Sequence, residues 1–168
     1  MASYRIRLFP EPILRRSALF VREFDQNLRT ILQKLHATMK AQPAGIGIAA
    51  PQVGISKRIA IVDVSSREPS GTLLHLVNPE ILVCEEEISS REGCMSLPEY
   101  TATIKRFNKI KVRWQDEGGR YQEKWSTGIE ARCIQHEVDH LNGLLFIDKV
   151  ASLKTDVLPR TWKRKGAE

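Results

Sequence analysis

The chain has 168 residues, 42% of them hydrophobic and 27% charged, and carries a net charge of +6 from 26 Lys+Arg against 20 Asp+Glu. That length predicts one compact domain over residues 1–168, and the composition excludes a disordered chain. No apolar run approaches the ~18–20 residues of a membrane span, and the opening MASYRIRLFPEP lacks an apolar stretch of signal-peptide length. The expectation is a cytoplasmic protein with no membrane partner. Three cysteines, Cys84, Cys94 and Cys133, make no disulfide framework. Cys84 and Cys133 are expected to be small buried hydrophobes.

In chain order, Pro10 and Pro12 give the first 20 residues the character of an extended arm. A long N-terminal helix is predicted from Asp25, its N-cap. Leu28, Ile31, Leu32, Leu35 and Met39 form one apolar stripe, and Pro43 and Gly45 end the element. His36 falls beside the stripe and is expected to be solvated or capping. Strands are predicted at Arg58–Val64 and on both sides of Asn78-Pro79, over Thr72–Val77 and Ile81–Cys84. The alternation through Ile110, Val112 and Trp114, the turn Asp116–Gly119 and the return from Tyr121 to Trp125 predict a hairpin with one wet face. A second helix is predicted from about Thr127 to Leu141, with Ile129, Cys133, Ile134, Val138 and Leu141 on its apolar side and Asn142-Gly143 as its stop. The fold class is therefore α+β: antiparallel β-sheets packed around a buried C-terminal helix, plus the long N-terminal helix. The tail, about residues 151–168, gathers Arg160, Lys163, Arg164 and Lys165. Such a run is usually a solvated end; its weaker reading is an electrostatic contact with RNA, such as the ribosome.

The sharpest local signal lies on the second helix, as His136-Glu137-Val138-Asp139-His140. Residues four apart share a helix face, so the two imidazoles can converge on one cation, and Glu137, displaced by one residue, suits a base for a metal-bound water. Chance gives the pattern in roughly one such chain in a hundred, and two buried, hydrogen-bonded histidines are the alternative. A catalytic site of this type needs a third protein ligand. Downstream of His140 there is no histidine, and the only glutamate is Glu168, which argues against a zinc endopeptidase. Upstream, Cys94 stands in Arg91-Glu92-Gly93-Cys94-Met95-Ser96-Leu97-Pro98, where glycine and proline predict an ordered connection. A thiolate there is a candidate third ligand; a small buried hydrophobe is the other reading.

The third unusual stretch is Gly45-Ile46-Gly47-Ile48-Ala49-Ala50-Pro51-Gln52. Its small residues allow close approach of another backbone or an extended ligand. It matches neither the phosphate-loop nor the dinucleotide pattern, and Gln52 is a neutral side chain able to donate to an oxyanion.

Taken in order, GIGIAAPQ (45–52), EGCMS (92–96) and QHEVDHLNG (135–143) resemble the three motifs of the peptide deformylase family, and the likeness runs from about Leu8 to Val150. The resemblance implies removal of the N-formyl group from the initiator methionine of new polypeptides, with release of formate. It implies that Cys94, His136 and His140 bind one divalent metal ion, Fe²⁺ in the cell, with Zn²⁺, Ni²⁺ or Co²⁺ able to replace it in purified protein. It implies that Glu137 is the general base and acid, that the Gln52 amide and the Met95 N–H stabilise the oxyanion, and that Gly47 offers backbone hydrogen bonds to an extended substrate. Ile46, Met95, Ile129 and Cys133 are expected to form the methionine pocket. N-formylmethionyl nascent peptides are the expected partners, and DNA is not. Thr101 stands where many members carry arginine. Glu92 is expected to pair with Arg106, bracing the segment that presents Cys94.

Overall fold

A computed structural model describes residues 2–160; Lys163, Arg164 and Lys165 of the basic tail lie outside the described residues. The expectation of a long N-terminal helix needs correction. The chain opens on an arm with a single 3-10 turn at Pro12–Arg15. The first α-helix, α1 (Gln26–Lys40), follows with 15 residues, an ordinary length for a globular protein. Asp25 caps it by accepting a hydrogen bond from the Leu28 N–H at 3.0 Å, satisfying one of the free donors of the first turn. The buried side of α1 is Leu28, Ile31, Leu32, Leu35, Thr38 and Met39.

The strands are β1 (Gly47–Ala49), β2 (Ile59–Asp63), β3 (Leu73–Cys94), β4 (Leu97–Gln115), β5 (Tyr121–Thr127) and, near the end of the described chain, β6 (Val157–Pro159). They form one antiparallel sheet in the order β1-β2-β3-β4-β5, with β6 on β4, where several sheets were expected. The frame is the long β3–β4 hairpin. Asn78-Pro79 does not break it: Asn78 takes φ 50° and the ladder shifts register between Val77 and Glu80. The Asn78 side chain instead pins the arm, accepting from the Val21 N–H at 2.9 Å and donating to the Val21 carbonyl at 2.9 Å. A further break lies where it matters most. Gly93 is opposite Thr101 but Cys94 is opposite Leu97, and such irregularities re-aim side chains next to functional sites.

The second long helix, α2 (Gly128–Leu141), has Thr127 at its N-cap. It ends at Gly143, whose φ of 73° is the left-handed conformation a glycine supplies without strain. Ala131, Cys133, Ile134, Val138 and Leu141 of α2 pack on Ala49, Ala60, Val62, Leu74, Leu76, Ile110 and Val112 of the sheet. A second cluster joins α1 to Ile48, Ile59 and Ile61, and a third joins Leu14, Cys94, Leu97, Ala102, Ile104, Leu145 and Phe146. Cys94 therefore sits at the seam between the hairpin end and the segment after α2.

The first part of the tail is largely solvated but ordered: a four-residue helix, α3 (Leu153–Asp156), leads into β6, which pairs with Tyr100–Ala102. Cys84 is exposed, in contrast to its expected burial, because it begins the outward-facing charged stretch Glu85–Glu87 of β3. His36 is partly buried, its Nε2 3.8 Å from Asp63 Oδ2.

Candidate metal centre and active site

The site lies where α2, the 45–52 segment and the end of β3 meet. Helical spacing puts His136 and His140 one turn apart on the same side of α2, their ring centroids 4.9 Å apart. The irregularity at Gly93 and Cys94 brings the thiol to them, with Cys94 Sγ 3.3 Å from His140 Nε2. Ligand atoms of Cys94, His136 and His140 all lie within 4.8 Å of one another. Two imidazoles and a thiolate are borderline-soft donors of the kind that hold zinc or ferrous iron.

Groups behind the donors fix their orientation. His136 Nδ1 lies 2.7 Å from Glu92 Oε1, and the ring stacks against Phe146 at a centroid distance of 6.3 Å. This leaves His136 Nε2 as the nitrogen available to a ligand. Glu92 in turn accepts from Arg106 Nε at 2.6 Å and Nη2 at 2.9 Å, so the expected Glu92–Arg106 pair is present. Arg106 also reaches Asp139 Oδ2 at 2.6 Å, a contact the sequence did not suggest. The guanidinium is 3% exposed and flanked by two carboxylates, a buried charge kept tolerable by pairing.

Charge in this pocket is tightly biased. Burial opposes ionisation of Glu92, yet the bonds from Arg106 and His136 hold its carboxyl at about 2. Burial opposes a charge on His136 as well, but Cys94 and Glu92 hold it well above its ordinary value; His140 is held well below by burial and by His136 and Arg106. Burial is also what lifts the Glu137 carboxyl to about 7. Its Oε2 is buried without a hydrogen-bond partner among the described residues. The Cys133 thiol is pushed well up, by burial first and then by Glu137 and Glu92. It stays protonated and lies 3.6 Å from the Ile46 carbonyl.

A cavity of about 230 Å³ opens onto these groups, lined among others by Ile46, Gly47, Gln52, Cys94, Met95, Ile129, Cys133, His136 and Glu137. His140 lies behind them, 1% exposed. Gly47 faces Glu137 so closely that a Cβ on it would stand 2.5 Å from Glu137 Oε1 and from Cys133 Sγ, so any larger residue must displace those groups. Gln52 is oriented at both ends. Its Oε1 accepts from the Ala49 N–H at 2.9 Å, and its Nε2 points to Ser96 Oγ at 3.2 Å and Cys94 Sγ at 3.6 Å. Ser96 and Asp139 are supporting residues that the sequence alone did not reveal. The available signal was their polar character inside the EGCMS and QHEVDHLNG stretches, which predicts buried groups in need of partners.

A buried carboxyl raised to about 7 beside three convergent donors that could hold a metal, in an open cleft, is an arrangement suited to metal-dependent hydrolysis. The family model described as Polypeptide deformylase matches residues 3–156. A peptide deformylase of Thermodesulfovibrio yellowstonii is 41% identical over 165 residues, covering 98% of this chain and 99% of that protein. One from Thermotoga maritima is 43% identical over 152 residues, covering 90% and 89%. The crystal structure of the Thermotoga maritima peptide deformylase superposes with a TM-score of 0.84 at 42% identity, covering 90% of this chain and 100% of that one. A Met-Ala-Ser-bound class I type b peptide deformylase from Acinetobacter baumannii gives 0.82 at 36% identity, covering 89% and 99%. The chain belongs to the peptide deformylase family, metal-dependent hydrolases that remove the N-formyl group from nascent polypeptides.

Proposed function

We propose that Cys94, His136 and His140 hold one divalent metal ion, Fe²⁺ in the cell, and that the cavity beside them deformylates N-formylmethionyl peptides. The observation that carries this assignment is the convergence of the three donors, with ligand atoms within 4.8 Å, next to a carboxyl whose Oε2 is buried without a partner. A divalent ion at such a site lowers the pKa of a coordinated water from ~15.7 toward ~7 and polarises a carbonyl oxygen.

The chain's own residues do the rest. Glu137, held near neutrality by burial, accepts a proton from the attacking water and later delivers it to the leaving amine of the methionine. The carbonyl oxygen gains charge as the formyl carbon becomes tetrahedral, and the Gln52 amide and the Met95 N–H donate to it; one such donor is typically worth ~3–4 kcal/mol. Gly47 lets the substrate backbone approach, and its main chain offers the hydrogen bonds an extended peptide needs. Ile46, Met95, Ile129 and the protonated Cys133 receive the methionine side chain. The Met-Ala-Ser-bound relative supports a peptide beginning with methionine in this cavity. Formyl is the smallest acyl group, so a tight pocket excludes acetyl sterically. A single catalytic domain spanning the chain is in keeping with a family match over residues 3–156, and nascent-chain substrates with three free cysteines fit work in the cytoplasm.

The test is formate release from formyl-Met-Ala-Ser by protein reconstituted anaerobically with Fe²⁺, Ni²⁺ or Zn²⁺, in wild type and Glu137→Gln. Fe²⁺ and Ni²⁺ are expected to turn over much faster than Zn²⁺. Glu137→Gln is expected to bind metal and lose at least about 10²-fold in kcat. Equal rates with the three metals would overturn the iron assignment, and a fully active Glu137→Gln would overturn the role of the carboxyl.

A further inference from the structure

The cavity wall is mixed in character. Ile46, Met95, Ile129 and Cys133 line it beside Cys94, His136 and Glu137, and Arg67, Arg91, Arg132 and Arg160 reach the lining as well. They come from four separate places in the fold. Arg67 Nη2 stands 3.5 Å from the Ala44 carbonyl, on the lip formed by the segment before β1. Arg91, near the end of β3, donates to Thr101 Oγ1 from Nε at 3.2 Å and from Nη2 at 2.9 Å. Beside it, Arg160 follows β6, and its Nη1 lies 3.2 Å from the place a Gly93 Cβ would occupy. Arg132, on α2, donates to Asn108 Oδ1 at 3.1 Å.

Three of these guanidinium groups, those of Arg67, Arg91 and Arg132, are not spent on carboxylates among the described residues. Among the described residues, Arg67, Arg91 and Arg132 have no carboxylate within 4.0 Å, whereas Arg113 and Arg15 each have one and Arg106 has two. Neither acidic residue on the cavity wall pairs with Arg67, Arg91 or Arg132: Glu92 is engaged by Arg106 and His136, and Glu137 is 3% exposed at the floor. A peptide whose formyl end lies at the triad has to pass these groups on its way out. Guanidinium groups present planar, paired donors that match a carboxylate.

We infer that the arginine-lined mouth is a specificity element for acidic residues immediately after the formylated methionine. The inference rests on the site assignment above, since it needs the methionine end at the triad. The rim groups touch the substrate away from the reacting carbon, so they bind ground state and transition state alike and act through KM more than kcat.

The experiment compares formyl-Met-Glu-Ser, formyl-Met-Ala-Ser and formyl-Met-Lys-Ser with nickel-loaded protein at low salt and at about 1 M NaCl, where the screening length falls to about 3 Å. The expected result is a kcat/KM at least about fivefold higher for the Glu peptide than for the Lys peptide at low salt, carried by KM. The ratio is expected to fall below about twofold at high salt and to drop or invert in the Arg67→Glu/Arg91→Glu double variant. Calorimetric titration with unformylated Met-Glu-Ser and Met-Lys-Ser is expected to rank the two peptides the same way without any turnover. A ratio near one at low salt, or a preference that salt leaves unchanged, would overturn the rim inference while the deformylase site stands. No formate from any peptide would overturn the site assignment, and with it the placement of the peptide on which the rim inference depends.

Discussion

Glu92 joins two systems at once: its Oε1 lies 2.7 Å from His136 Nδ1, while its carboxylate also accepts two hydrogen bonds from Arg106, at 2.6 and 2.9 Å. The same group therefore sets the tautomer of a metal-ligand candidate and anchors the buried guanidinium behind it. Carboxylates in this position raise ligand basicity and hold the ring still, and losing one typically costs 10–100-fold in metal affinity. Glu92→Gln is expected to weaken Zn²⁺ binding by about that factor in a chelator competition, while Glu137 stays in place to support residual formate release. Unchanged affinity would mean that the histidine is oriented by packing against Phe146 alone.

Arg106 is the second half of that system. Replacing it with Met leaves Glu92 and Asp139 facing each other across a buried space without their shared cation, a change that typically costs about 3–5 kcal/mol. Urea unfolding of Arg106→Met at neutral pH is expected to show a loss of that order, and a loss under about 1 kcal/mol would indicate that water replaces the guanidinium.

Gly47 gives a sterically sharp prediction. An alanine there would drive its Cβ to 2.5 Å from Glu137 Oε1 and Cys133 Sγ, displacing the carboxyl, and small misplacements of a reacting group cost ~10²-fold. Gly47→Ala is expected to keep its metal stoichiometry and lose about that factor in kcat/KM. Full activity with bound metal would show that Glu137 has another productive position.

A pH effect on stability is expected at Asp63, whose side chain pairs with Lys40 of α1. Its carboxyl is held at about 2, chiefly by Lys40 and then by Ser65, with Lys40 Nζ at 2.8 Å and Ser65 Oγ at 2.6 Å. A depressed folded-state pKa contributes stability that is complete above the unfolded value near 4 and disappears as pH falls through about 2. Because Lys40 is 45% exposed, solvent screening limits the effect to the order of 1 kcal/mol. Wild type is expected to exceed Asp63→Asn by that amount in urea unfolding at pH 6, with the gap closing between about pH 4 and pH 2. A gap that stays constant across this range would assign the difference to packing.

What the sequence made legible follows a physical pattern. The stripe of α1, its Asp25 cap and the limits of α2 were readable because helix periodicity and capping are local. The histidine pair was readable because four-residue spacing on a helix fixes proximity before any tertiary contact forms. Asn78-Pro79 was misread as a break because the ladder resumes beyond a local irregularity, and what Asn78 gains by pinning Val21 comes from across the chain. β6 has only three residues and no periodic signal, so its place on Tyr100–Ala102 is a tertiary outcome. The approach of Cys94 to His140, across 46 residues of sequence, is likewise set by the register slip at the hairpin end. For that reason the residues alone left the role of Cys94 open until the family resemblance was weighed.

The most direct test of the account is X-ray absorption at the metal edge of the zinc-substituted protein, paired with metal quantification. The account predicts about one ion per chain with one sulfur scatterer at ~2.3 Å and nitrogen or oxygen scatterers at ~2.0–2.1 Å, the sulfur disappearing in Cys94→Asp. A fully loaded protein without a sulfur neighbour, or one whose sulfur signal survives that substitution, would contradict it.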